Sequence, residues 1–144
     1  TTELRPSLLD DLGLPAAIRW NLERQCQLAG LAAHFSTEAL PAKFPEAMAI
    51  ACYRISQEAI TNVIKHAQAK EISVRLFVIA DRFCLEIGDD GRGFDPAANR
   101  DGTGLGMVSM RERALLAGGC LEIKAQPGRG CVVSASFSLS LLQP

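Results

Sequence analysis

The sequence predicts an α/β fold of the α+β kind: a two-layer sandwich in which a mixed, mostly antiparallel sheet of about five strands is covered on one face by three helices. Two observations carry this. The segments 72–78, 83–89, 121–125 and 133–139 alternate apolar and polar residues, the period of a strand with one buried face. Their outward positions, among them Arg75, Glu86, Glu122, Lys124, Ser134, Ser136 and Ser138, make one sheet face wet. Three longer runs instead repeat apolar residues at helical spacing, and a half-polar sheet needs such helices over its other face.

Composition agrees. A chain of 144 residues can bury a real core as one domain, and 48% hydrophobic with 22% charged residues is ordinary for a globular protein. The net charge of −1 gives no bulk attraction to nucleic acid or to an anionic membrane. No apolar run approaches the roughly 20 residues that span a bilayer, and no signal peptide opens the chain. A cytoplasmic location without membrane contact is therefore expected. Cys26, Cys52, Cys84, Cys120 and Cys131 are odd in number and never spaced C-x-x-C, so they read as small hydrophobes rather than metal ligands.

In chain order, LRPSLLDDLGL holds Pro6 and Gly13, which break any long helix, so residues 1–13 read as a boundary segment and 14–144 as the domain. Residues 15–29 carry Ile18, Leu22, Cys26 and Ala29 at helical spacing. A short opening strand comes next at 31–36. His34 lies in it with no carboxylate or second histidine nearby, and reads as a plain strand residue. Pro45 introduces a helix over 46–68. Ile72, Val74, Leu76 and Val78 alternate, turn at Asp81, and return through Phe83, Leu85 and Ile87 as a hairpin. Residues 94–101, with few apolar side chains, read as a mobile loop. An apolar helix pattern covers 107–117. Leu121, Ile123 and Ala125 then reach the turn Pro127-Gly128-Arg129-Gly130, from which Val133, Ala135, Phe137 and Leu139 return.

Three stretches hold residues with chemistry in them. On the 46–68 helix, at about 100° per residue, Glu58, Asn62 and Lys65 share one stripe with His66 beside it. That stripe borders the apolar Met48, Cys52, Ile55 and Ala59, so its polar groups need partners unless they form a solvated face. Strand parity turns Asp89 toward the core and Asp90 away from it. An inward carboxylate followed by Gly91 and Gly93 needs hydrogen-bond donors, and an adenine amino group would suit; the alternative is an Asp capping a tight turn. Finally, Gly102-Thr103-Gly104-Leu105-Gly106 leads into a helix, where its amides could cradle phosphates. A dinucleotide-binding glycine loop would follow a strand directly, and DPAANRD is not one.

Together, Glu58-x-x-x-Asn62, Asp89-x-Gly91-x-Gly93 and Gly102-x-Gly104-x-Gly106 resemble the N, G1 and G2 boxes of the ATP-binding domain of sensor histidine kinases. This is a Bergerat-type fold shared with gyrase, the Hsp90 chaperones and the mismatch-repair ATPases. The resemblance covers about residues 4–139, and QEAITNVIKHA, DDGRGF and GLGMVSMRERALLAGG look like the nitrate-sensor subgroup, whose response regulators carry a helix-turn-helix output. It implies binding of ATP with Mg²⁺ under a short lid at 94–101, and γ-phosphoryl transfer to a histidine on a separate helical domain.

By the same resemblance, Asp89 accepts from the adenine amino group, and Asn62 is an oxygen ligand to Mg²⁺. Lys65 and His66 approach phosphates or ribose. Gly91 and Gly93 allow close approach, and the Thr103, Gly104, Leu105 and Gly106 stretch presents amides to phosphates. Glu58 either orients a nucleophile, as a base, or pairs with Lys65. Cys131 stands where many relatives have Thr. Implied partners are the dimerisation and phosphoacceptor helices of a homodimeric parent and a response regulator, with this chain monomeric by itself and no nucleic acid bound. Alternatives sharing the boxes are an ATP-driven clamp, an anti-sigma-type serine kinase and a nucleotide-sensing module.

Overall fold

A computed structural model describes residues 6–93 and 103–142. The chain runs α1 (Ser7–Leu12), α2 (Leu14–Ala29), β1 (Ala32–Glu38), α3 (Glu46–Asn62), a π-helical turn (Val63–Ala67), β2 (Glu71–Ile79), β3 (Arg82–Asp89), α4 (Thr103–Leu116), β4 (Gly119–Ala125), β5 (Cys131–Ser138) and a final 3₁₀ turn (Leu139–Leu142). The five strands form one sheet in the order β1-β2-β3-β5-β4. β1 pairs with β2 in parallel and every other pair is antiparallel, so the sheet is mixed as expected.

Local chemistry sets the ends of these elements. Gly13, at φ 79°, turns the chain between α1 and α2, and Pro15 fits the first turn of α2. Gly30 closes α2 in the left-handed conformation, its N–H donating to the Cys26 carbonyl. Ala29, expected on the buried face, is exposed because the helix ends there. The 1–13 segment is more than a connection, since Leu9 of α1 is buried in the core beside α2 and α3.

The core lies between the helices and one sheet face. Ile18 and Leu22 of α2, Ile55 and Ile60 of α3, and Met110 and Ala114 of α4 meet Ile72, Val74, Leu76, Phe83, Leu85, Ala135 and Phe137 of the sheet. Phe83 is held edge-on by Phe44, 5.1 Å between centroids, and stacked by Phe137. β4 begins with glycine because a Cβ at Gly119 would enter the Phe137 ring. The opposite sheet face is polar: Arg75 and Glu86, direct cross-strand partners, form a 3.0 Å ion pair, and the Arg75 guanidinium sits 4.4 Å above the Phe77 ring.

Three expectations change. The helix expected over 46–68 is α-helical only to Asn62, then widens by one residue per turn through Val63–Ala67 and stops at Gln68, whose φ is 54°. A π turn shifts the angular phase of every residue after its start, so Lys65 leaves the stripe expected to hold it with Glu58 and Asn62 and stands exposed. The helix expected at 107 starts at Thr103. His34 does have a carboxylate neighbour, with Nε2 3.3 Å from Glu71 Oε2, because parallel pairing of β1 and β2 joins residues 37 apart in the chain.

Candidate functional site

α3 and α4 pack side by side above the end of β3, and an apolar cavity of about 50 Å³ opens between them. Asn62, Val63, His66 and Ala67 line it from α3 and the π turn, Met107 and Met110 from α4, and Ile87, Ile123 and Val133 from the sheet. Asp89 and Cys131, directly opposed across β3 and β5, supply its polar end.

The two adjacent aspartates divide as strand parity predicts. Asp89 is half-buried at the cavity, where Oδ1 accepts a 2.8 Å bond from the Gly91 N–H. Burial pushes its carboxyl above the ordinary value, the Gly91 amide opposes that shift, and the charge on Asp90 adds to it. Asp89 thus caps its turn and faces the cavity with the rest of its carboxylate. Asp90 points outward, and its Oδ1 accepts from the Glu71 N–H at 3.0 Å and the Lys70 N–H at 2.8 Å, which hold its carboxyl below the ordinary value. Burial and the Asp89 charge push the Cys131 thiol up to about 12, so it stays neutral.

The loop after Asp89 is pressed against the end of the π turn. Arg92 N–H donates to the Ala67 carbonyl at 2.7 Å, and Arg92 Nε to the His66 carbonyl at 2.6 Å. A guanidinium at the carbonyl end of a helix also suits the helix dipole. A Cβ at Gly91 would strike the Ala67 carbonyl, which is why glycine is required there. From the other side the Gly128 N–H donates to the Arg92 carbonyl, and Gly93, at φ 63°, packs against Gln126 and Gly130. Arg92 was not among the residues singled out from the sequence. Its signal was a cation between two glycines facing a helix C-terminus, readable only once the π turn is placed.

Gly106 joins the remaining residues. A Cβ there would lie 2.5 Å from Glu58 Oε1 and 3.3 Å from Asn62 Nδ2, so α4 meets the α3 stripe through a missing side chain. The Glu58 carboxylate therefore points to Gly106 rather than to Lys65, which is exposed on the π turn and outside the cavity lining. Glu58 instead lines a second, polar cavity. Thr103, Gly104, Leu105 and Gly106 form the first turn of α4, the turn whose four amides have no intrahelical partner. The expected lid at 94–101 and Gly102 lie outside the described residues. Among the described residues no helix is long and apolar enough to cross a membrane.

A sequence model of the histidine kinase-, DNA gyrase B- and HSP90-like ATPases matches residues 48–141, which contain all three stretches that build the site. The chain belongs to this family. Among curated relatives of this ATPase module, the oxygen sensor histidine kinase NreB of Staphylococcus carnosus is 37% identical over 140 residues, covering 97% of this chain. The chain spans 40% of the length of that relative. The fold is that of histidine kinase domains. The blue-light activated kinase of Erythrobacter litoralis EL346 superposes with a TM-score of 0.73 at 21% identity, covering 93% of this chain and 69% of that one. Full-length ShkA in complex with AMPPNP gives 0.74 at 19% identity, covering 94% of this chain and 31% of that one.

The site of this ATPase module makes two outcomes testable. Because the folded Asp89 pKa lies above the ordinary 3.8, its contribution to stability is present below that pH and is lost as pH rises through the folded value. Asp89→Asn should therefore flatten the fall in melting temperature above pH 3.8 and raise it at pH 7, while Asp90→Asn, removing a group with a lowered pKa, should lower it at pH 7. A lower melting temperature for Asp89→Asn at pH 7 would contradict the assignment. The two glycines should also separate in denaturant titrations. Gly91→Ala meets backbone and should cost about 1–3 kcal/mol, whereas Gly106→Ala meets the free end of Glu58, should leave stability nearly unchanged, and should weaken nucleotide binding.

Proposed function

We propose that this chain is the ATP-binding catalytic domain of a two-component sensor histidine kinase, binding Mg-ATP and donating the γ-phosphoryl group to a histidine on a helical domain outside it. One observation carries this reading: a half-buried carboxylate at the end of an apolar cavity, bonded on one side by a single backbone amide and open toward the cavity on the other. An adenine amino group supplies the missing donor, and the apolar walls suit its ring. Family membership and the 37% identical histidine kinase support the same conclusion.

Each residue then has a task. Asp89 accepts from adenine. Cys131, neutral beside it, adds bulk and at most a weak donor. His66, in the cavity wall, and Lys65, exposed beyond its rim, approach the ribose and phosphates, Lys65 by the reach of its side chain. The first-turn amides of α4 bind phosphate oxygens, and Asn62 turns its amide N toward Gly106, leaving its oxygen as a neutral ligand suited to Mg²⁺. When bound, that ion neutralises charge on the phosphates. Glu58, one turn earlier on α3, lies where it can orient or deprotonate the acceptor imidazole. His34, on β1, and His66, inside the site, are not acceptors. Phosphoryl transfer depends on in-line positioning that neither can adopt within this fold.

The parent kinase is read as a homodimer whose dimerisation and phosphoacceptor helices precede residues 1–13. It is read as cytoplasmic at this domain and as signalling to a response regulator with a helix-turn-helix output. The chain by itself is monomeric.

The test is direct. ATP should bind more tightly than GTP by about tenfold or more, since the guanine oxygen would face the Asp89 carboxylate, and Asp89→Ala should abolish the difference. With γ-labelled ATP, the isolated chain should carry no acid-labile label on His34 or His66 yet label a two-helix acceptor segment added in trans. Equal affinity for the two nucleotides, or label on either histidine, contradicts the proposal.

A further inference from the structure

The chain has three methionines, and their surroundings differ. Met48 of α3 and Met110 of α4 are each 1% exposed, closed in by the core. Met107 is only half-buried, and its side chain lines the apolar cavity between α3 and α4. Helical spacing puts it there. Met107, Met110 and Ala114 fall at i, i+3 and i+7 on α4, so they share the face turned to the core, and Met107 leads that face one residue after Gly106. The stripe begins at the cavity, which leaves its first thioether partly open.

A thioether has no proton to lose, so its reaction with a two-electron oxidant needs no ionisation, and exposure decides which methionine reacts. Cys131, whose sulfur lies at the same cavity, differs: burial and the Asp89 charge hold it as the thiol, whereas peroxides act on the thiolate. Oxidation of a methionine turns a flexible apolar side chain into a polar, chiral one. In a cavity of about 50 Å³ the added oxygen takes room that a ring would fill, and it sets a polar atom against Ile87, Val133 and Met110.

We propose that Met107 is a site of reversible oxidative modification, at which an oxidant of the peroxide class forms the sulfoxide and thereby closes the apolar cavity to a purine. The Met107 sulfur takes one oxygen from hydrogen peroxide and gives up two electrons; the O–O bond breaks, and the other oxygen leaves as water. The inference rests on the proposed function, since it needs the base in this cavity. It couples occupancy to reactivity in both directions. Bound nucleotide covers Met107 and shields it, and the sulfoxide in turn weakens the nucleotide.

The experiment uses the chain carrying Cys120→Ser, which removes the exposed thiol. Hydrogen peroxide is added with and without Mg-ATP, each methionine is followed by peptide mass mapping, and ATP binding is measured by calorimetry. Met107 should gain oxygen well before Met48 and Met110, and saturating ATP should slow that gain. Chain oxidised at Met107 should bind ATP about tenfold more weakly, the scale of one polar group left in apolar surroundings. Methionine sulfoxide reductases, one for each epimer, should restore the affinity. Met107→Leu, of similar volume, should show the same ATP affinity before and after peroxide. Should that variant not fold, reductase rescue of the Met107 chain decides. Equal oxidation of the three methionines, no shielding by bound ATP, or an affinity unchanged by oxidation overturns the assignment and leaves the proposed function standing. A chain that binds no ATP before any oxidant is added removes the proposed function, and this inference with it.

Discussion

The site depends on one close approach: the backbone of Gly91 and Arg92 against the carbonyls of His66 and Ala67. Here the end of a strand touches the end of a helix, with no side chain between them at Gly91 and two donors from Arg92 closing the gap. If those carbonyls lay buried without donors, each would carry a desolvation cost of about 1–3 kcal/mol. With them satisfied, the α3 end is fixed relative to β3, and Asn62, His66 and Asp89 face one another across a single cavity. Asp90 reinforces the same junction from outside by binding the Lys70 and Glu71 amides at the start of β2.

A second constraint divides the chemistry. Two faces of α3 differ, Ala59 and Val63 lining the apolar cavity and Arg54, Gln57, Glu58 and Thr61 the polar one, and α4 divides likewise between Met107 and Met110 on one face and Ser109 and Arg113 on the other. Gly106 stands at the boundary, small enough for both helices to reach it.

Much of this was legible in the sequence, where local periodicity governs. The alternation of Phe83, Leu85 and Ile87 placed Asp89 and Asp90 on opposite faces, and the sheet's wet face was readable from Arg75 and Glu86. The rest depended on long-range geometry. Nothing in VIKHA distinguishes a π turn from the α-helix before it, so periodicity puts Lys65 on a stripe that it leaves. Gly102–Gly106 reads as a loop by propensity, since glycine disfavours helices by about 1 kcal/mol, yet packing against Glu58 and Asn62 extends α4 to Thr103. The His34–Glu71 contact required knowing that β1 and β2 run parallel.

The cysteines allow a different consequence to be drawn. Burial raises the thiols of Cys26, Cys52 and Cys84 above their ordinary range, and Cys131 is raised further by the Asp89 beside it, so at neutral pH these four are held as thiols. Peroxide and disulfide exchange act on the thiolate. Only Cys120, exposed on an edge strand, is open to reagents. Of the five thiols, then, a single one at the sheet edge faces oxidants in solution.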